Sequence, residues 1–137
     1  MVSDDRAALA DAAQRVGDRW SLQVLHVLLA GPHRFGELQA TIPGIASNVL
    51  SQRLRALEAE GLVLAEPYQH RPLRHRYALT GRGRDLAGVL LLLAAWSDEE
   101  RHGPRHQACG TALEPRWWCP TCATTADTAD DGTLTWV

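Results

Sequence analysis

The chain has 137 residues, 45% apolar and 22% charged, with a formal net charge of −2, a composition that excludes a fibrous repeat or wholesale disorder and leaves room for one domain plus a small appendage. The charge is uneven, since Gly31 to Arg84 carries eight Arg against four acidic residues, a net +4, while the rest sums to −6 and no Lys occurs anywhere. The longest apolar stretch, Ala87 to Trp96, has ten residues and the start carries Asp4 and Asp5, so neither a membrane span nor an export signal is expected and the chain reads as cytoplasmic, with no membrane partner.

Between Asp4 and Val16, Leu9, Ala12, Ala13 and Val16 recur at helical spacing and Gly17 stops the run. A second, largely buried helix follows in WSLQVLHVLLAG, ending at Gly31-Pro32. A short third helix is expected from Arg34 to Ala40, with Phe35 and Leu38 on one side, closing at the turn IPGI. The fourth starts at Ser47, a favourable N-cap type, and runs to about Glu60 before Gly61. Third and fourth helix together spell a helix-turn-helix.

The fourth helix has two chemically different faces. Val49 or Leu50, then Leu54 and Leu57, make the buried stripe, and Asn48, Ser51, Gln52 and Arg55 lie opposite. Amides suit adenine, Arg suits guanine and hydroxyls suit phosphates. Ser47, Arg53 and Arg34 complete the candidate DNA-binding set on the helix-turn-helix. The period then changes: residues from Leu62 to Tyr68 and from Arg74 to Leu79 read as two strands of a hairpin, a wing whose tip carries His70, Arg71, Arg74 and His75, with Arg76 following. Those cations suit a phosphate backbone. Thr80 is expected to cap a long helix reaching about His102.

GPHRFGEL, SNVLSQRLRALEAEGL and RYALTGRGRDL, in that order and at those separations, resemble the HxlR-type winged helix-turn-helix transcriptional regulators. The likeness is close from Gly17 to Leu86 and looser from the first helix to Glu100. It implies a homodimer on a pseudo-palindromic DNA operator, with helix 47–60 in the major groove, the 69–76 wing alongside, and half-sites about one helical turn apart. It also implies pairing through the first and last helices, which fits Leu9, Leu86, Val89, Leu90, Leu93 and Trp96. Redox-sensing members of the family carry a cysteine near the start of the first helix; here Ala7 or its neighbour stands there, so that thiol switch is absent.

All three cysteines lie near the C-terminus, as His106-x2-Cys109, nine residues, then Cys119-x2-Cys122. Two short ligand pairs joined by a loop suit a tetrahedral structural zinc ion, and His106, Cys109, Cys119 and Cys122 are the candidate set. Two other readings stand beside it: a redox dithiol at Cys119 and Cys122, and three reduced, unliganded thiols. Beyond them, ATTADTADDG reads as a linker, with Leu134 and Trp136 in a short closing strand or a frayed end.

The expected fold is mainly α (α+β): a winged helix-turn-helix with a long dimerisation helix over residues 1–102, and a zinc-ribbon-like extension over 103–137. A GxGxxG, a P-loop, a nucleophile elbow and paired carboxylates are all missing, so an enzyme is not expected. A DNA-binding regulator is the leading function. A redox regulator switching through the C-terminal cysteines, and a winged module that keeps the fold without strong DNA affinity, are the alternatives. A small-molecule effector between protomers, lined by Trp20 and Trp96, is a further expected partner.

Overall fold

Asp18 shows how local chemistry begins this fold. Its carboxylate accepts hydrogen bonds from the backbone N–H of Trp20 and Ser21 at 3.1 and 3.0 Å, satisfying orphan donors at the start of a helix. The computed structural model describes residues 5–98, 100 and 103–126. These fall into two units, one of residues 6–90 and one containing residues 91–126.

In the first unit, α1 (Asp5–Val16) precedes α2 (Arg19–Leu28), the helix that Asp18 caps. A two-residue strand β1 (His33–Arg34) leads into α3 (Phe35–Thr41), and the turn 42–46 leads into α4 (Ser47–Ala59). The wing is β2 (Val63–His70) and β3 (Leu73–Leu79), and a one-turn helix α5 (Gly81–Arg84) follows. The antiparallel sheet has the order β1-β3-β2, so the short strand before α3 fastens the helix-turn-helix to the wing.

The core takes Val24, Leu25 and Leu28 from α2, Leu38 from α3, Leu50, Leu54 and Leu57 from α4, and Leu62, Val63 and Leu79 from the sheet. Ile42 and Ile45 of the turn are buried in it too, which fixes the angle at which α3 hands the chain to α4. Each buried aliphatic side chain contributes about 1.5–3 kcal/mol, and α4 supplies three of them at i, i+4 and i+7 spacing. One face of α4 is thereby locked inward and the opposite face is held toward solvent.

The long helix expected from Thr80 to about His102 is interrupted. Thr80 does cap, accepting from Gly83 N–H at 3.0 Å while donating to the Gly61 carbonyl at 2.6 Å. The chain then turns at residues 85–86, and α6 (Ala87–Ser97) begins anew. His102 lies outside the described residues, as do Leu134 and Trp136. The first turn is fixed by contact as well as by its cap: Gly83 is buried, and a Cβ there would run into the Leu62 carbonyl oxygen, which already accepts Thr80 N–H at 3.0 Å. Gly83→Ala is therefore expected to destabilise the domain by about 1–3 kcal/mol, measured by denaturant unfolding; Gly81→Ala, whose Cβ meets nothing within 4 Å, is the control that stays close to wild type.

The second unit contains a two-stranded antiparallel sheet, β4 (Trp117–Cys119) with β5 (Thr124–Ala126), and a bridge between Arg105 and Ala112. Among the described residues no helix is long and apolar enough to cross a membrane.

Candidate nucleic-acid interface

With Leu50, Leu54 and Leu57 committed to the core, the reverse side of α4 presents Asn48, Gln52 and Arg55 exposed and Ser51 half-buried. Ser47 is exposed at the first turn. Two amides, a guanidinium and hydroxyls thus share one solvent-facing stripe about two turns long, a donor and acceptor set able to read base edges. Tyr77 of β3 stands near the far end of that helix. Its hydroxyl pKa is raised, first by burial and then by the charge of Glu58, with Arg55 pulling the other way.

Arg53 sits differently from its neighbours. Its Nη1 lies 3.4 Å from the Asp18 carboxylate, and its Nε–H is buried without a hydrogen-bond partner. This guanidinium braces α4 against the N-cap of α2, so its first role is to position the reading helix. Burial acts to raise the Asp18 pKa, but hydrogen bonds from the Ser21 hydroxyl and N–H, the Arg53 charge and the Trp20 N–H outweigh it and hold the group below its ordinary 3.8. A depressed carboxylate stabilises the fold above its unfolded-state pKa, and that stabilisation disappears as pH falls through the folded-state value. Asp18→Ala is expected to cost about 1 kcal/mol at pH 7. Chemical unfolding should show the gap from wild type narrowing below about pH 4.

The wing tip is open and basic. His70, Arg71, Arg74, His75 and Arg76 are all exposed. Arg34 and Arg76 face each other in the β1–β3 register, an arrangement of like charges that costs stability on its own. The protein relieves it partly: Glu66 approaches Arg76 at 3.3 Å, and Arg34 lies over the Tyr68 ring at 4.5 Å. Tyr68 is placed there by the irregularity between Pro67 and Gln69 in β2. The result is a strip of cations beside α4 that an anion would neutralise. Sequence reasoning found these cations but missed β1, the Tyr68 platform and the Asp18 brace; the N-cap pattern of an acidic residue just before a helix was the available signal for the last.

The expected pairing residues divide. Leu90 is 5% exposed within the core and Leu86 packs against it, so these two serve the chain's own interior. Leu9, Val89 and Leu93 are exposed, Trp96 is 83% exposed, and Leu92 is exposed with them. Trp20 is half-buried against the core with the Arg19 guanidinium 4.1 Å above its ring.

His106 and the three cysteines form two pairs, His106 with Cys109 and Cys119 with Cys122. His106 Nδ1 lies 3.3 Å from Cys109 Sγ. The Cys109 thiol is pulled down to about 7 by the Thr111 hydroxyl and N–H and then by His106. Cys119 is lowered by the N–H and thiol of Cys122 and by the N–H of Thr121. Among the described residues no three His, Cys, Asp or Glu side chains gather closely enough to share an ion.

Comparison with known proteins places this geometry. Residues 15–104 match the model of the HxlR-like helix-turn-helix family. The HTH-type transcriptional regulator Rv3095 of Mycobacterium tuberculosis is 41% identical over 118 residues, spanning 81% of this chain and 74% of that protein. Among solved structures, the reduced form of the transcriptional regulator YodB from B. subtilis superposes with a TM-score of 0.59 at 35% identity, covering 67% of this chain and 90% of its own. The redox regulator HypR in its oxidized form gives 0.62 at 30% identity, covering 65% and 92%.

Proposed function

The chain belongs to the HxlR-like helix-turn-helix family of transcriptional regulators, and we propose that it works as a cytoplasmic homodimer on a pseudo-palindromic DNA operator. The observation that carries this reading is the two-faced α4. Its apolar side is buried and its Asn48, Gln52 and Arg55 side is exposed, which suits insertion in the major groove with the cationic wing on the adjoining phosphates. Asn48 and Gln52 read adenine edges and Arg55 reads guanine; Arg71, Arg74 and Arg76 hold the backbone.

Two recognition helices in one complex require a symmetric pair of chains. The side chains that support pairing are Val89, Leu92, Leu93 and Trp96 on α6, a helix without one charged residue, and Leu9 on α1. An uncovered apolar helix of this kind is costly in water and is relieved by a second copy.

Selection of bound duplexes from a random DNA library tests the reading. The expected product is an inverted repeat with half-sites about one helical turn apart; recovery of duplexes with no common sequence would reject it. The redox regulators among the structural relatives favour one second reading, in which oxidation of the C-terminal thiols alters DNA affinity. Its distinguishing result is operator release by a mild oxidant, abolished in Cys122→Ser.

A further inference from the structure

Residues 103–126 have almost no interior. Only Gly103, Cys119 and Ala126 are even half-buried there, and Leu113, Trp117 and Trp118 are exposed. Hydrogen bonds give local order, but a segment this short and this open does not bury enough apolar surface to hold one conformation, and small elements of this kind are commonly stapled by disulfides or by a metal.

Two loops in this segment are built alike. In the first, His106 N–H donates to the Thr111 carbonyl at 2.8 Å and Gly110 N–H to the His106 carbonyl at 2.7 Å. Arg105 Nη1 adds a bond to the Gly110 carbonyl at 2.9 Å. His106 and Cys109 come first and fourth, and Gly110 follows with φ +70°. In the second, Cys119 ends β4 opposite Thr124 of β5. Cys119 and Cys122 come first and fourth, and Ala123 follows with φ +51°, the one non-glycine residue with positive φ among those described.

The left-handed conformation costs an alanine roughly 1 kcal/mol or more, yet it recurs at the same place after each pair. In the first loop the two donor atoms already face each other, His106 Nδ1 standing 3.3 Å from Cys109 Sγ. A tight loop offering ligands at i and i+3 can grip two corners of a tetrahedron but not four.

We propose that the His106–Cys109 and Cys119–Cys122 loops are the two halves of one zinc site, and that the ion supplies the link between them. In this structure the pairs stand apart, and the nine residues from Gly110 to Trp118 are the tether that lets them close on one ion. Three sulfurs and one imidazole nitrogen satisfy tetrahedral zinc, leaving no open coordination position, so the role is structural. The ribbon then folds on metal binding, and its exposed tryptophans are set by the ion.

The test uses the full chain, purified with reductant and without chelator, and then analysed for metal and titrated with cobalt(II). About one zinc per chain is expected, with tetrahedral cobalt absorption and a sulfur-to-cobalt charge-transfer band on substitution. Cys109→Ser and Cys119→Ser should each weaken zinc retention against a chelator at least tenfold, and His106→Ala should weaken it too, while Ala108→Ser, inside the same loop, should keep it. Zinc below about a tenth of an equivalent after dialysis against the free metal would overturn the proposal. So would undiminished retention in Cys109→Ser, which would confine any metal to the Cys119–Cys122 pair. A wild-type chain that takes no metal and instead forms a reversible Cys119–Cys122 disulfide would overturn it in favour of a thiol switch. Because the wild-type measurements stand alone, a variant that fails to fold leaves the proposal testable.

Discussion

Arg55→Ala is expected to lower affinity for the selected operator by about 5- to 150-fold, as follows from removing one good bidentate base interaction worth about 1–3 kcal/mol. The side chain is exposed on the outer face of α4, whereas Leu54 beside it is buried, so the substitution removes a reading group and leaves the core intact. Affinity for unrelated duplex should fall much less, and preference for one base pair in each half-site should disappear. Quantitative binding to a set of single-base operator variants checks both parts. An equal loss on all sequences would reassign Arg55 to the phosphate backbone.

Leu93→Glu combined with Trp96→Glu is expected to have a larger effect. Both side chains are exposed on α6, whereas Leu90 is buried, so the carboxylates meet water in a lone protomer and an apolar partner surface in a pair. Sedimentation should show a monomer with native helicity. Operator affinity should fall on the order of 100-fold or more, because each half-site is then bound without the effective concentration supplied by its twin. A dimer that survives the double substitution would place pairing elsewhere on the chain.

Much of this was legible in the sequence because it rests on local periodicity. Leu50, Leu54 and Leu57 mark the buried side of α4 by spacing alone, and Asn48, Gln52 and Arg55 follow as the outer side. What was not legible depends on tertiary contact. β1 is two residues long, too short for any period, and exists because β3 pairs with it from far along the chain. The break before α6 is invisible in GRGRDLAGVLLLL; the first turn is fixed where Gly83 meets the Leu62 carbonyl. Arg53 belongs to the polar side of α4 by spacing, but its geometry is decided by Asp18 on another element. Among the leucines of α6 there is no polar stripe to mark the inner face, so sequence alone grouped the core residues Leu86 and Leu90 with the exposed Val89 and Leu93. The cysteine spacing, by contrast, pointed to two ligand pairs, and the paired loops with their left-handed Gly110 and Ala123 add a conformational likeness that spacing does not contain.

The central claim is that α4 and the wing grip DNA together, and salt dependence tests it most directly. Operator affinity should be measured across a range of salt concentrations for the wild-type chain and for Arg71→Ala/Arg74→Ala. The expected result is a steep linear fall of log K with log salt for wild type and a slope shallower by about two for the double variant, close to one for each arginine–phosphate interaction removed. Superimposable lines for the two proteins, or an affinity indifferent to salt, would contradict the account.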